Sequence, residues 1–220
     1  MIVSGVDEAG RGSVIGPLVV AGVLFEEKDL AKLVDLGVRD SKLLSPKKRI
    51  ELAIKIRKIA LICHAVFLTP AEIDVVVESR RKLHKLNRLE AKAMAKIITI
   101  LKPDLVYVDA SDVLAERFGE HIAELLDFTP IIVSEHKADL TYPIVSAASI
   151  IAKVERDKAI SQLQNRYGNL GCGYPSDPKT IKFLEEWKIK FGVYPDFVRK
   201  SWKTAKRIEE KTDSKQKKLF

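Results

Sequence analysis

Short apolar runs alternate with amphipathic segments along this chain, and that alternation limits the folds that it can adopt. The apolar, β-rich runs cover residues 1–6, 17–25, 61–68, 105–109 and 130–134. Segments whose apolar residues recur at helical spacing lie between these runs, among them residues 47–59 and 87–101. A chain of this kind packs helices against a sheet. The sequence therefore predicts an α/β fold.

A long helix is predicted over residues 143–167, and its first turns carry the small residues 146–149. Small side chains allow a helix to approach a sheet closely, so we expect this helix to be the central one. Gly168 follows it, and glycine commonly terminates helices. Asp177 and the proline after it begin a further helix, which we expect to end at Phe191.

Four acidic residues occupy comparable places relative to the predicted strands. Asp7 and Glu8 follow the first apolar run, Asp109 ends the fourth, and Asp139 precedes the long helix. Strand ends converge at one edge of an α/β sheet, so these carboxylates could meet and bind hard divalent cations. Two such ions would stabilise the attacking and leaving oxygens of a phosphoryl transfer. The alternative is a set of solvated turns, because a chain with 30 acids produces such spacing easily.

A glycine-rich turn follows the acidic pair. Gly10, Gly12 and Gly16 are spaced one residue too widely for the dinucleotide-binding pattern, and no Gly-Lys-Ser/Thr follows for a nucleoside triphosphate loop. Glycines here could simply form a turn. A backbone without side chains beside two acids and Arg11 would also let a phosphodiester approach closely.

The net charge of +8 is concentrated at the end of the chain. From Arg199 onward, nine Lys or Arg residues stand against three acids, which accounts for +6 of the total. A basic tail on a nearly balanced body indicates a polyanionic partner, most often nucleic acid. A solvated, lysine-rich terminus is the alternative.

Composition argues for a cytoplasmic protein that does not enter a membrane. No apolar run approaches the roughly 18 residues that a spanning helix needs, and residues 1–16 lack the basic start of a signal peptide. Cys63 and Cys172 are far apart and show no metal-binding spacing, as is usual in a reducing compartment. With 220 residues, we expect one domain, or one domain with a small appendage, in a monomer.

Six segments of the sequence resemble the family of ribonuclease HII, and most closely its archaeal single-chain form. They are GVDEAGRG at 5–12, DSK at 40–42, YVD at 107–109, HKAD at 136–139, VSAASIIAK at 145–153 and GYPSD at 173–177. The similarity extends from residue 2 to about residue 207 in the same order. It implies a ribonuclease H-like fold, a five-stranded mixed sheet flanked by helices, with a catalytic domain over 1–167 and a small helical C-terminal part over 168–220.

The resemblance also implies a reaction. Asp7, Glu8, Asp109 and Asp139 match the family's acids, which hold Mg²⁺ or Mn²⁺ and support two-metal hydrolysis. The expected substrates are RNA–DNA hybrids and duplex DNA with single embedded ribonucleotides. Cleavage is expected 5′ of the ribonucleotide and leaves 3′-hydroxyl and 5′-phosphate ends.

Substrate contacts follow from the same resemblance. The loop of Gly10, Arg11 and Gly12 would recognise the 2′-hydroxyl, which distinguishes RNA from DNA, and Tyr174 would stack against the sugar at the RNA–DNA junction. Ser13 stands where the family usually has proline, which removes no functional atom.

Three further contacts are expected at basic positions and at the chain end. Lys42 would contact a phosphate, and Lys203 the duplex backbone, although exposed lysines in a loop or on a helix explain both nearly as well. The segment Gln216–Phe220 partly matches a sliding-clamp docking peptide: Gln216 and Leu219 fit, but the single aromatic residue comes too early.

Two other functions remain open from the sequence. Ribonuclease HIII cuts hybrids but not lone ribonucleotides. It usually carries an additional N-terminal domain, whereas the first strand here is expected at residue 2, and Tyr174 in its Gly-Tyr context favours ribonuclease HII. The second alternative is a non-catalytic nucleic-acid-binding module, for which the basic tail would suffice. Acids at all four motif positions argue against that module.

Overall fold

The computed structural model describes residues 1–38, 44–79 and 85–216, and these form two compact units. The first, the sheet unit, comprises the described residues of Met1–Ala9, Val19–Phe67 and Lys82–Glu155. The second, the helical unit, comprises those of Gly10–Leu18, Leu68–Arg81 and Arg156–Phe220. The units divide the long helix between residues 155 and 156. The expected domain boundary after residue 167 stays a prediction.

A single five-stranded mixed sheet dominates the sheet unit. Its strands are β1 (Ile2–Ala9), β2 (Leu18–Glu26), β3 (Ile62–Leu68), β4 (Leu105–Asp109) and β5 (Ile131–Glu135). They lie in the order β3-β2-β1-β4-β5. Strand β1 pairs antiparallel with β2 and parallel with β4, and β4 pairs parallel with β5. The five-stranded mixed sheet expected from the sequence is therefore confirmed.

Helices connect most of the strands and follow the last of them. They are α1 (Ala31–Asp35), α2 (Pro46–Ile59), α3 (Pro70–Glu78), α4 (Lys85–Leu101), α5 (Ala115–Ala123), α6 (Ala138–Thr141), α7 (Pro143–Tyr167), α8 (Pro178–Phe191) and α9 (Lys203–Gln216). Helices α7 and α8 have the predicted bounds. Asp177 caps α8 by accepting a bond from the Lys179 amide at 2.9 Å, and Gly192 ends it in the left-handed conformation. No helix in the described ranges is both long and apolar enough to cross a membrane.

Strand β1 is longer than the sequence indicated. The prediction ended the apolar strand at Val6, directly before the acidic pair, which is wrong, because the strand continues to Ala9. Asp7 and Glu8 pair with Ala21 and Val20 of β2. Backbone pairing with β2, which is almost fully buried, therefore holds both acids in the strand. Aspartate and glutamate are otherwise uncommon in strands.

The core of the sheet unit forms where α7 packs on β1. Gly5 lies against the first turn of α7, and a Cβ built on it would approach the Ile144 carbonyl oxygen to 2.4 Å and the Val145 amide nitrogen to 2.7 Å. Ala147 and Ala148 of α7 are fully buried in the same core. Small residues on both elements therefore let helix and strand approach closely, as the run at 146–149 predicted.

The helical unit has a core of its own. Val14, Ile15, Leu170 and Leu184 are fully buried together with residues of α9. Residue Ile15 also forms an isolated antiparallel bridge with Val198, which joins the first loop to the segment before α9. Residues far apart in sequence are thus fixed against one another within this unit.

We expect Gly5→Ala to destabilise the protein by at least about 2 kcal/mol, because the new methyl group meets backbone atoms that cannot rotate away. The free energy of unfolding in guanidinium chloride measures this effect. Gly12→Ala is the control: a Cβ there meets nothing within 4 Å, so stability should change by less than about 1 kcal/mol. Equal effects of the two substitutions would contradict the close approach of α7 to β1.

Candidate active site

The carboxyl ends of β1 and β4 bring three of the four predicted acids together. The two strands are neighbours in register, with Val6 opposite Val108, so Asp7 and Asp109 follow at matching positions. Asp7 is almost completely buried, whereas Glu8 and Asp109 are half-buried. Three carboxylates thus lie at one edge of the sheet.

The fourth acid reaches this edge through α6. An Oδ1 atom of Asp109 accepts a hydrogen bond of 3.0 Å from the backbone amide of Ala138, the first residue of that helix. Asp139 is the next residue and is buried. Lys137 precedes the helix with a φ of 57°, a left-handed conformation that turns the chain sharply after β5. The hydrogen bond therefore attaches the start of α6 to the end of β4.

Asp7 experiences repulsion from the other acids of this cluster. Burial raises the pKa of Asp7 well above its usual value, and the neighbouring charges of Glu8 and Asp109 raise the pKa further. Two hydrogen bonds oppose the shift: the Ser149 hydroxyl donates to the Asp7 carboxylate, and the Glu8 amide donates to Asp7 Oδ1 at 2.7 Å. These bonds hold the side chain in place without removing the repulsion.

Helix α7 and the loop after β4 supply residues that the sequence analysis did not assign to the site. Ser149, which was expected only to permit close packing, donates to Asp7 and accepts a 3.0 Å bond from Lys153 one helical turn later. Ser111 donates to Glu8 Oε1 at 3.2 Å. The signal for Ser149 and Lys153 was present as the i, i+4 spacing of two polar residues in the first half of a helix whose other residues there are small or apolar.

Asp112 is a second buried aspartate, and hydrogen-bond donors compensate its charge. Burial of Asp112 favours a higher pKa, but hydrogen bonds from Arg117, Asn87 and the Leu114 amide outweigh burial and lower the pKa well below its usual value. Asp112 is thus stabilised as an anion by donors. Asp7 differs because its nearest charges are carboxylates.

The donor set at the sheet edge suits a hard divalent cation. Carboxylate oxygens are the ligands that Mg²⁺ and Mn²⁺ prefer, and a cation would offset the repulsion that raises the pKa of Asp7. Within residues 1–38, 44–79 and 85–216, no three His, Cys, Asp or Glu side chains are already arranged around one ion position. The fit to a cation therefore rests on donor chemistry and charge.

The remaining predicted site residues that the structure describes belong to the helical unit. Gly10 has a φ of +89°, and the Gly10–Gly12 turn is closed by a bond of 3.2 Å from the Ser13 amide to the Gly10 carbonyl. Tyr174 is half-buried. The Cζ atom of Arg156 lies over the Tyr174 ring, 4.5 Å from the ring centre. Lys203 is exposed at the start of α9. Lys42 lies outside the described residues.

Comparison with known proteins identifies the family. The model of ribonuclease HII matches residues 4–205. The chain belongs to the ribonuclease HII family. Among its relatives, the ribonuclease HII of Thermococcus sibiricus is 52% identical over 213 residues, which cover 96% of this chain and 92% of that protein.

Solved structures agree with the family assignment. The ribonuclease H2 from Pyrococcus horikoshii OT3 has a TM-score of 0.89 at 45% identity and covers 97% of this chain and 99% of its own. The ribonuclease HII in a complex with PCNA from Archaeoglobus fulgidus has a TM-score of 0.84 at 44% identity, over 92% and 96% of the two chains. At 19% identity and a TM-score of 0.81, Bst-RNase HIII in complex with Mn²⁺ shares the fold over 97% of this chain and 71% of its own.

These findings confirm the resemblance to archaeal ribonuclease HII and the ribonuclease H-like fold. As a member of the ribonuclease HII family, the chain is a ribonuclease H, a hydrolase with nuclease activity on RNA–DNA hybrids.

We expect Asp7→Asn to stabilise the folded protein by about 1 kcal/mol at pH 7 in the absence of divalent ions. The folded pKa of Asp7 lies above its value of 3.8 in the unfolded chain, so wild type loses stability as the pH rises from that value through the raised folded pKa. The advantage of Asp7→Asn should therefore disappear below about pH 4. The free energy of unfolding of both proteins in guanidinium chloride, measured with a chelator at several pH values, gives this difference.

Asp112→Asn is the control for this experiment. The folded pKa of Asp112 is lowered, so its anion stabilises the fold above the unfolded pKa and that contribution is lost as the pH falls. Asp112→Asn should therefore destabilise the protein at pH 7. Destabilisation by both substitutions to the same degree would contradict the repulsion assigned to Asp7.

Proposed function

We propose that this ribonuclease H is an endonuclease that cuts both RNA in RNA–DNA hybrids and single ribonucleotides embedded in duplex DNA, by two-metal hydrolysis. The main observation in support is the convergence of Asp7, Glu8 and Asp109 at one sheet edge, with Asp139 on the helix that is bonded to Asp109. Membership in the ribonuclease HII family supports the same function. The sites of hydrolysis would be 5′ of a ribonucleotide, leaving 3′-hydroxyl and 5′-phosphate ends.

Asp7, Glu8, Asp109 and Asp139 would hold two Mg²⁺ or Mn²⁺ ions. Such ions, when bound, supply positive charge for the attacking and leaving oxygens and lower the pKa of bound water. The protein's contribution is to fix the ligands before the substrate arrives. The amide of Ala138 orients Asp109, and the Ser149 hydroxyl orients Asp7, so little reorganisation is needed during the reaction.

Recognition of the ribonucleotide would fall to residues of the helical unit. Gly10, Arg11 and Gly12 would contact the 2′-hydroxyl through backbone and side-chain groups, and Tyr174 would stack on the sugar at the junction. Lys203, exposed at the start of α9, would contact a backbone phosphate, as would Lys42. Phosphate contacts contribute affinity, whereas the 2′-hydroxyl contact provides the discrimination against DNA.

We infer that the enzyme acts in the cytoplasm as a monomer, and three features support this inference. Its two cysteines, Cys63 and Cys172, are both free thiols. Its substrates are nucleic acids, and its four metal-binding acids all come from one chain.

We expect Asp109→Asn to abolish Mg²⁺-dependent cleavage of a duplex that contains one ribonucleotide, with a rate loss of at least about 10³-fold, because the amide withdraws one metal-binding charge. Binding of an uncleaved RNA–DNA hybrid should fall less than about threefold, since phosphate contacts lie elsewhere. Asp7→Asn should behave in the same way. Cleavage gels and fluorescence anisotropy give the two quantities.

Wild-type enzyme assayed on the same duplex with and without Mg²⁺ provides the control. Cleavage of a continuous hybrid but not of the single ribonucleotide would indicate a hybrid-only nuclease. Binding without cleavage of either would indicate a non-catalytic module. Retained Mg²⁺-dependent nicking in Asp109→Asn would refute the role of the acid cluster.

Tyr174→Ala is expected to reduce cleavage at a single embedded ribonucleotide by about 10-fold or more, the effect of losing one stacking contact. Tyr174→Phe retains the ring and should keep most of the activity. The ratio of kcat/KM on the single-ribonucleotide duplex to that on a continuous hybrid is the measurement. An unchanged rate in Tyr174→Ala would remove this residue from the site.

We also infer that the C-terminal segment Gln216–Phe220 docks on a sliding clamp. The related ribonuclease HII of Archaeoglobus fulgidus forms a complex with PCNA, and Gln216 and Leu219 fit the docking pattern. Helix α9 ends at Gln216, and residues 217–220 lie outside the described residues.

Deletion of residues 216–220 should abolish co-purification with the clamp of the same organism while leaving cleavage of a short hybrid within about twofold of wild type, because the acid cluster is untouched. A scrambled tail with the same composition controls for the basic charge. Unchanged capture of the clamp by the truncated chain would dispose of this inference.

A further inference from the structure

Arg199 is the largest fully buried side chain among the residues that the structure describes, and it is hydrogen-bonded to the glycine turn. Its Nη2 donates to the Gly10 carbonyl at 2.7 Å, its Nη1 to the Arg11 carbonyl at 2.8 Å, and its Nε to the Gly16 carbonyl at 3.2 Å. All three nitrogens of one guanidinium are thus used on the backbone of a single seven-residue loop. A planar, five-donor group is the side chain best suited to this task.

Burying this cation is costly, and its direct partners are neutral carbonyls. Desolvation lowers the pKa of Arg199 to about 9, and the positive charge of Arg156 adds to that effect. The group nevertheless stays charged at neutral pH. A buried charge without a carboxylate contact is a poor source of net stability. The contribution of Arg199 is therefore the conformation that it imposes on the loop.

The segment that carries Arg199 is itself anchored. Asp74 of α3 accepts bonds from the Lys200 amide at 2.8 Å, from the Ser201 amide at 3.0 Å and from the Ser201 hydroxyl at 2.5 Å. The Arg199 amide donates in addition to the Val14 carbonyl at 2.9 Å. The guanidinium is therefore presented to the loop from a fixed backbone.

The loop in turn is tied to the segment that bears Tyr174. The Gly173 carbonyl accepts bonds from the Val14 amide at 2.8 Å and from the Ile15 amide at 3.1 Å. Arg156 lies over the Tyr174 ring at 4.5 Å and donates from Nη2 to the Cys172 carbonyl at 2.6 Å. The backbone next to Tyr174 and the backbone after the glycine turn are thus joined directly by hydrogen bonds.

Arg156 also borders the glycine turn directly. A Cβ built on Gly10 would lie 3.2 Å from the Nε atom of Arg156 and 2.8 Å from the Pro17 carbonyl oxygen, which leaves no space for a side chain. That Nε atom is buried and has no hydrogen-bond partner among the residues that the structure describes. The guanidinium of Arg156 thus borders both the Tyr174 ring and the turn, and its Nη1 forms an ion pair with Asp157 at 3.5 Å.

We propose that Arg199 and Arg156 are positioning residues that hold the Gly10–Gly12 turn and Tyr174 as one preformed element for recognising a ribonucleotide. Arg199 fixes the carbonyls of the turn, Arg156 fixes the tyrosine ring, and the Gly173 carbonyl joins the two halves. The inference rests on the proposed role of Gly10–Gly12 and Tyr174. It adds that the discrimination between RNA and DNA depends on buried cations that need not touch the substrate.

The test uses the conservative variants Arg199→Lys and Arg156→Lys in the full chain, with Lys188→Gln as the control. A lysine keeps the charge but cannot reach three carbonyls at once or stack as a plane on a ring. Lys188 is another buried cation of the helical unit, bonded to Glu209 at 2.6 Å and 5.7 Å from the ring centre of Tyr194. Lys188→Gln therefore shows how much exchange and activity change when the helical unit loses a buried cation other than those at the turn.

The first readout is the backbone itself and does not depend on any substrate. The amides of Val14, Ile15 and Gly16 are all hydrogen-bonded, so hydrogen exchange of a peptide over residues 10–17 reports opening of the turn. We expect exchange about tenfold faster in Arg199→Lys and unchanged in Lys188→Gln. Arg156→Lys should accelerate exchange in the peptide over residues 172–175.

The second readout is substrate discrimination. The kcat/KM on a duplex with one ribonucleotide should fall about tenfold more than the kcat/KM on a continuous hybrid in both arginine variants, because a lone ribonucleotide offers a single position to recognise. In Lys188→Gln the ratio should equal that of wild type.

Equal exchange in Arg199→Lys, Lys188→Gln and wild type, or a discrimination ratio that changes no more in the arginine variants than in the control, would overturn the inference. If Arg199→Lys does not fold, Arg156→Lys decides by the same two readouts. Absence of single-ribonucleotide cleavage in wild type would instead refute the proposed function, and the exchange data would then still decide whether the arginines position the turn.

Discussion

The parallel pairing of β1 with β4 is the constraint on which the active site depends. It places Asp7 and Asp109 at matching positions of adjacent strands. Both acids lie within the strands themselves and not on a loop. The repulsion that follows raises the pKa of Asp7, which is also the most deeply buried of the three acids on the strands. The fold thus accepts an unfavourable electrostatic arrangement at the position where a divalent cation would reverse it.

Close packing of α7 on β1 completes this arrangement. Gly5 admits the first turn of the helix, and the helix then presents Ser149 to the Asp7 carboxylate. The same small residues that make the helix central therefore place a hydrogen-bond donor at the site. The close packing of α7 on β1 and the hydrogen bond from Ser149 to Asp7 therefore depend on each other.

The helical unit also contains a buried charged group, which in this unit is a cation. Its glycine turn has a left-handed Gly10 and is held by the buried guanidinium of Arg199. Both units therefore contain a buried charged group whose value lies in the geometry that it fixes.

Much of this structure could be predicted from the sequence, and the exceptions have physical reasons. The bounds of α7 and α8 follow from proline and glycine at their ends, which act locally. The length of β1 could not be predicted, because its acids are kept in the strand by pairing with β2, a contact between distant segments. The role of Arg199 was hidden for the same reason: nothing in a basic tail indicates which arginine folds back to a loop more than 180 residues earlier.

The most direct test of this account is a carbon NMR titration of the Asp7 carboxyl group, with and without Mg²⁺. The account predicts a pKa well above that of a free aspartate in the metal-free protein and a marked fall of that pKa when Mg²⁺ is added. An Asp7 pKa at or below the ordinary value without metal, or one that Mg²⁺ does not change, would contradict the claim that the acids at this sheet edge form a cation site.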